Sequence, residues 1–414
     1  MFSERTNWGL TQNRFTQAVD EARARGAKLL DLTASNPTRV GLRYDSVAIL
    51  RVLGSPQAMD YDPQAKGLLS AREAVAAYYN ERNARGRGNE IAGFDPERII
   101  LTTSTSEGYS YVFRLLCNAG DELLVPKPSY PLFEFLADLH DVKLVPYPLI
   151  YDHGWQMDFH SMEKVVTKRT CGMVIVHPNN PTGSYVHSEE LRPLNAFCRE
   201  HGLALIVDEV FLDYGLSNDG AVELRSTGQE NASVPASATQ QFSFVSNPEV
   251  LSFTLSGLSK ISALPQMKVA WVVTSGPDDI VNTAMARLEV IADTYLSMNA
   301  PIQWAVPMLL DQRKDIQQQL MHRVRANLRE LDRQLAGQQS CQRLSVEGGW
   351  YAVLRVPVTR SDEELAIELV REHSVLVHPG HFYDFPSDGY LVLSLISPEQ
   401  EFAEGARGVL GHLS

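Results

Sequence analysis

Cysteine is scarce in this chain, with four residues in 414. Cys117, Cys171, Cys198 and Cys341 are widely spaced, form no C-x-x-C pair and have no histidines at metal-ligand spacing. This excludes a disulfide scaffold or a zinc module as the organising element. They read as reduced, buried thiols. Positive charge is short as well: 37 Lys and Arg against 50 Asp and Glu leave a formal net charge of -13. Such a balance opposes the cationic surface that nucleic acid or anionic lipid requires. No apolar run approaches the roughly 18 to 20 residues needed to span a bilayer, and MFSERTNWGLTQ has no apolar stretch behind its charges. The expectation is a cytoplasmic protein with neither a nucleic-acid nor a membrane partner.

The rest of the composition is that of an ordinary globular protein, 44% hydrophobic and 21% charged. Its length exceeds what one core usually supports, so two packed domains are expected. Short β-branched runs alternate with helical patterns through the middle of the chain, which is how a parallel sheet covered on both faces is written. Seven strands are predicted, at Ile99 to Thr103, Glu122 to Pro126, Lys143 to Tyr147, Met173 to His177, Ala204 to Asp208, Ser252 to Leu255 and Val269 to Thr274. An amphipathic helix is expected over residues 11 to 30, nearly continuous helix from Pro277 to Leu335, and a helix at Asp362 to His373. Leu344 to Val356, Val375 to Val377 and Tyr390 to Leu395 read as short strands. The polar segment Ser217 to Glu249 reads as a surface insertion.

The fold class is therefore α/β: a three-layer large domain with a seven-stranded, mostly parallel sheet, plus a small α+β domain formed by the two chain ends. In residue ranges, 1–50 form an N-terminal arm and part of the small domain. Residues 51–290 form the large domain, and 291–414 a long helix and the remainder of the small domain.

Five segments carry chemistry. SGLSKISALPQMK places Lys260 just past a strand, where a side chain can enter the crevice in which open α/β sheets bind ligands. LALIVDEVFLDY puts Asp208 at the end of another strand. A carboxylate there either caps a turn or, facing a pyridine nitrogen, keeps that nitrogen protonated. HPNNPTG is a tight turn that also delivers the Asn180 amide to the same edge. ILTTSTSEGYSYVF runs from a strand through Ser104, Thr105 and Ser106 into a helix whose first amides can cradle an anion. VPKPSYPLFEF holds Tyr130 between prolines, where its ring is a platform for a flat ligand.

In this order and at these separations, PSYP, NNPTG, VDEVF and GLSK resemble the class I and II aminotransferases, fold type I enzymes of pyridoxal 5'-phosphate related to aspartate aminotransferase. The resemblance runs from SNPT to the last strand. It implies that Lys260 carries the cofactor as an internal Schiff base and acts as general base, with Asp208 at the pyridine nitrogen, Asn180 at the phenolic oxygen and Tyr130 on the ring. The phosphate would fall to Ser104, Thr105 and Ser106, to Ser256 or Ser259, and to Lys268. YDPQAKGLLSAREAVAAYY is similar to the segment whose tyrosine, here Tyr61, reaches the neighbouring subunit's phosphate, which implies a homodimer. The implied substrates are an amino acid and a 2-oxo acid, exchanged by ping-pong transamination.

Three departures stand out. Phe211 occupies the place of a tyrosine that donates to the phenolic oxygen. Lys268 replaces a phosphate-binding arginine and cannot offer its bidentate fork. GYLVLS carries Val392 where the pattern GYLRLS has the arginine that clamps the substrate carboxylate. Either another cation serves, with Arg39 in SNPTR the candidate and Asn36 beside it, or the substrate is not an ordinary α-amino acid. His177, His378 and His381 are candidates to line the site, although a satisfied structural histidine is the commoner fate for each. Two rival functions share the fold: a β-eliminating lyase using the same cofactor, and a cofactor-sensing regulatory domain.

Overall fold

The computed structural model describes residues 1–86, 93–216, 242–296 and 298–413. Eight strands form the large sheet: β1 (Ile99–Thr102), β2 (Glu122–Lys127), β3 (Lys143–Tyr151), β4 (Trp155–Met157), β5 (Thr170–Val176), β6 (Ala204–Asp208), β7 (Ser252–Gly257) and β8 (Ala270–Ser275). Their spatial order is β1-β8-β7-β6-β5-β2-β3-β4. The run from β7 through β6, β5 and β2 to β3 is parallel, whereas β8 is antiparallel to both its neighbours and β4 turns back along β3. All seven expected strands are present. The eighth, Trp155–Met157, was missed because three residues beside the exposed turn Asp152 to Gly154 carry too little alternation to register.

Burial explains why the central strands read as unbroken apolar runs. Every residue of β7 and β8 is buried, as are the first four of β6, because helices cover both faces. On one face Tyr109, Val112 and Phe113 of the helix Thr105–Leu116 pack with Val174, Ile206 and Phe253. On the other, Leu194, Phe197 and Cys198 of the helix Ser188–His201 pack against Met173, Ile175 and Leu205.

The chain ends meet in a second core. The helix Arg14–Ala24 is capped by the Asn13 side chain, which accepts from the Thr16 amide at 2.7 Å. It buries Phe15, Ala18, Val19 and Ala22, one stripe at helical spacing. Together Phe15 and Val19 contribute roughly 3 to 6 kcal/mol of transfer free energy. That stripe shares its core with β10 (Tyr351–Arg355) and β13 (Tyr390–Ser394), which join β9 (Gln342–Arg343) and β12 (His378–Pro379) in a four-stranded antiparallel sheet of order β9-β10-β13-β12. The two-residue strand Leu30–Asp31 pairs in parallel with β11 (Val375–Leu376), tying one end of the chain to the other.

Three expectations need adjusting. The first helix is shorter than residues 11 to 30, ending before Gly26 in a left-handed conformation. The stretch from Pro277 to Leu335 is three helices, Asp278–Thr294, Ala300–Asp311 and Arg313–Leu335, the second starting where the Asn299 side chain accepts from the Ile302 amide. Most of the polar segment 217–249 lies outside the described residues, but its end is core, not surface: Phe244 and Val245 are buried. Among the described residues, no helix is long and apolar enough to cross a membrane.

Candidate active site

Five chain segments leave the carboxyl ends of β1, β2, β5, β6 and β7, and all five chemistry-bearing motifs lie on them. Lys260 sits in the single helical turn Leu258–Ile261 directly after β7. The turn approaches β8 so closely that a Cβ at Gly257 would lie 2.7 Å from the Val269 carbonyl oxygen, so only glycine fits there. Three bonds hold the turn: Tyr214 Oη donates to the Lys260 carbonyl at 2.6 Å, Gln317 Nε2 to that of Ile261 at 2.8 Å, and Tyr44 Oη to that of Ala263 at 2.9 Å.

The lysine amine lies between two aromatic faces, 5.0 Å from the centre of the Trp350 ring and 5.5 Å from that of Phe211. Burial brings its pKa down to about 8, and the Asp208 carboxylate pulls the other way. Asp208 ends β6, the strand beside β7. It accepts from Tyr109 Oη at 3.1 Å and from the Val210 amide at 3.0 Å, while burial pushes it up to about 6 against these bonds and the charge of Lys260. Each of the two groups thus shifts the other's protonation, and they occupy one site.

Tyr130, on the turn after β2, is half-exposed and is raised by burial and by the Asp208 charge. Asn180 is buried after β5, its side-chain Oδ1 without a partner. Its neighbour Asn179 is the brace between the two turns: Nδ2 donates to the Pro128 carbonyl at 3.1 Å and to Thr182 Oγ1 at 2.9 Å, and Oδ1 accepts from Ser129 Oγ at 3.1 Å. Gly183 closes this turn at φ +71°, where a Cβ would meet the Gly348 carbonyl oxygen at 2.5 Å.

The anion cradle lies at the end of β1. Ser104 caps the helix Thr105–Leu116 by accepting from the Glu107 amide at 3.2 Å, and Thr105 and Ser106 occupy its first turn, half-buried. Ser259 is half-buried beside Lys260, but the Ser256 hydroxyl is spent on the Glu209 carbonyl at 3.3 Å. Lys268 is exposed, holds φ +52° and makes no ion pair among the described residues. Tyr61 is 84% exposed. Arg39 and Asn36 are exposed too, and the Asn36 side chain is occupied in accepting from Thr38 Oγ1 at 2.7 Å. His177 does not line the site. It is fully buried, its Nδ1 accepts from the Val186 amide at 3.1 Å, its Nε2 meets the Phe242 carbonyl at 3.1 Å, and burial drives its pKa down to about 3. His381 is exposed.

Sequence reasoning passed over Asn179, Tyr109, Trp350, Tyr351 and Tyr383. Tyr109 could have been found one turn into the helix that follows the hydroxyl run, and Trp350 and Tyr351 from the glycine pair before them. Tyr383 is brought in only by the tertiary fold, its carbonyl accepting from the Ser129 amide at 2.9 Å.

A flat anionic aldehyde fits these groups. The lysine can bond to it, the acid can face a ring nitrogen, Tyr130 can cover a face, the Asn180 side-chain Nδ2 can donate to a ring oxygen, and the helix N-terminus can take the phosphate. Fold and site together define a fold type I pyridoxal 5'-phosphate enzyme. The chain belongs to the aminotransferase class I and II family, whose sequence pattern matches residues 48–400. Glutamate-pyruvate aminotransferase AlaA of Escherichia coli strain K12 is 28% identical over 381 residues, covering 89% of this chain and 87% of that protein. Alanine aminotransferase of Mycobacterium tuberculosis strain H37Rv is 27% identical over 391 residues, covering 92% and 84%. The alanine aminotransferase of Pyrococcus furiosus shares the fold over 100% of this chain and 99% of its own, with a TM-score of 0.82 at 21% identity. The protein is thus a pyridoxal phosphate-dependent aminotransferase.

Proposed function

We propose that the protein acts as a homodimer that moves an amino group between a small α-amino acid and a 2-oxo acid by ping-pong transamination, with Lys260 as cofactor attachment point and proton carrier. The observation that carries this reading is the mutual electrostatic influence of Lys260 and Asp208 at the ends of adjacent parallel strands. Bound pyridoxal phosphate supplies an electron sink that makes the α-proton of an attached amino acid removable. The residues do the rest. Lys260, lowered to about 8, has a usable fraction of free amine near neutral pH, so it can both bond to the cofactor and, once released, carry a proton. Asp208, pushed only to about 6, is mostly ionised at pH 7 and presents a negative charge to the ring nitrogen. Asn180 would donate to the ring oxygen, Tyr130 would cover the ring, and Ser104, Thr105, Ser106, Ser259 and Lys268 would hold the phosphate. Ser256 ties its strand to the neighbouring one through the Glu209 carbonyl.

The names of the two relatives make alanine and glutamate the first donors to test. Mixing the holoenzyme with either one, without an oxo acid, should convert its visible absorbance to that of the amine form of the cofactor and release pyruvate or 2-oxoglutarate. Ammonia released together with pyruvate from a β-substituted donor would instead support the lyase reading.

The dimer reading rests on Tyr61, almost fully exposed within a subunit, and on the exposed apolar side chains Leu50, Met59 and Leu69 in the same stretch of chain. Tyr61→Ala should weaken cofactor retention about tenfold, the value of one hydrogen bond to a charged group. Hybrids of Tyr61→Ala and Lys260→Ala subunits should regain tight binding at one site per dimer. Hybrids no better than the Tyr61→Ala homodimer would place Tyr61 outside the neighbouring site.

A further inference from the structure

The arginine that the sequence pattern leads one to expect at position 392 is missing, and strand register shows what stands beside the gap. In the small sheet Val392 lies directly across from Val353 on one side and from His378 on the other. Residues directly opposite in a pleated sheet share a face, as do residues two apart along a strand. Val392, Val353, His378 and Tyr351 therefore share one face. One member of that face reaches the lysine's surroundings: the Tyr351 ring is 6.2 Å from Phe211, whose ring is 5.5 Å from Lys260 Nζ. Val392 itself is 1% exposed and offers nothing polar. His378 is the polar side chain adjacent to it in register.

Its setting is built. His378 Nδ1 lies 2.9 Å from Tyr383 Oη. Tyr383 in turn is close enough to Tyr351 and Tyr130 for each to raise it electrostatically, and Tyr130 senses Asp208. When the Tyr383 hydroxyl donates to Nδ1, the imidazole carries its proton on Nε2 and can donate from there. Burial lowers His378 to about 4 against the pull of Asp31, so the ring is neutral at pH 7 and offers a hydrogen bond instead of an ion pair. Other cations are worse placed. Lys127 is engaged by Asp384 at 3.1 Å, Arg355 lies over the rings of Tyr151 and Tyr390 at the far end of its strand, and Arg39 is exposed.

We propose that His378, oriented by Tyr383, donates the hydrogen bond that receives the carboxylate of amino-acid and oxo-acid substrates in place of the family's arginine. This rests on the aminotransferase reading. A single neutral donor grips a carboxylate less firmly than a bidentate guanidinium, so the enzyme should have a high KM.

The test compares alanine with alaninamide, which keeps the amine and side chain but not the carboxylate, in half-reactions of the holoenzyme. His378→Ala should raise KM for alanine about ten- to a hundredfold, as expected for a lost hydrogen bond to a charged group, with the cofactor's visible absorbance retained. The acid-to-amide ratio of kcat/KM should fall as well, by less than the KM effect because the uncharged amide carbonyl loses only a weaker bond, and a merely structural role would not shift that ratio. Tyr383→Phe should shift the ratio the same way by less, and adding Val392→Arg to His378→Ala should restore it. Wild-type turnover with an unchanged ratio in both His378→Ala and Tyr383→Phe would overturn the inference alone, as would a loss seen only in Arg39→Ala. A wild-type protein that accepts no amino donor would overturn the aminotransferase reading and this inference with it.

Discussion

Replacing Lys260 with Ala should abolish the visible absorbance of lysine-bound pyridoxal phosphate and reduce turnover at least a thousandfold. General acid-base catalysis by one positioned group is worth roughly a hundred- to ten-thousandfold, and this side chain serves as covalent anchor as well. The protein should still fold, because the turn carrying Lys260 is held through backbone carbonyls by Tyr44, Tyr214 and Gln317, none of which touches the amine. Stopped-flow kinetics on the wild-type apoenzyme supply a pH arm. Only the unprotonated amine attacks an aldehyde, and the folded state lowers Lys260 to about 8, so the rate of cofactor capture should climb as pH rises toward 8 and level off above it. A capture rate still climbing between pH 9 and 10 would mean an ordinary exposed lysine is responsible.

The second large effect concerns Asp208. An opposite charge within hydrogen-bonding distance moves a pKa by about 1 to 3 units, and each unit is a factor of ten in the population of the protonated ring. Asp208→Asn keeps the shape and can still meet Tyr109 Oη and the Val210 amide, but it removes the charge. Turnover should fall roughly ten- to a thousandfold while the cofactor stays attached to Lys260. Tyr109→Phe, which leaves the carboxylate in place and removes one of its hydrogen bonds, should cost less. An Asp208→Asn enzyme as fast as wild type would separate this acid from the ring nitrogen.

Much of this was legible in the sequence because the site is built at strand ends. A buried parallel strand announces itself as an apolar run, and whatever polar residue follows it must lie at the sheet's edge, which is why Asp208, Asn180 and Lys260 could be assigned a common location. The eighth strand, Trp155–Met157, was too short to show a period. His177, the last residue of an expected strand, is the satisfied structural histidine that was the commoner expectation, its ring consumed by the Val186 amide and the Phe242 carbonyl, partners no local pattern reveals. Ser256 was a phosphate candidate, as an alternative to Ser259, only by the family resemblance, and its hydroxyl instead donates to the Glu209 carbonyl. Trp350 lies over the lysine amine and Tyr351 packs against Phe211 beside it, contacts made by chain far from Lys260 in sequence and invisible to sequence spacing.

The account depends most on Lys260 being the residue that holds the cofactor. Borohydride reduction of the holoenzyme, followed by proteolysis and mass mapping, fixes the cofactor to whichever amine carries it. The phosphopyridoxyl mass should appear on the peptide containing Lys260, in the wild type and in Asp208→Asn alike. Its appearance on Lys268, Lys127 or any other lysine, with the Lys260 peptide unmodified, would contradict the site described.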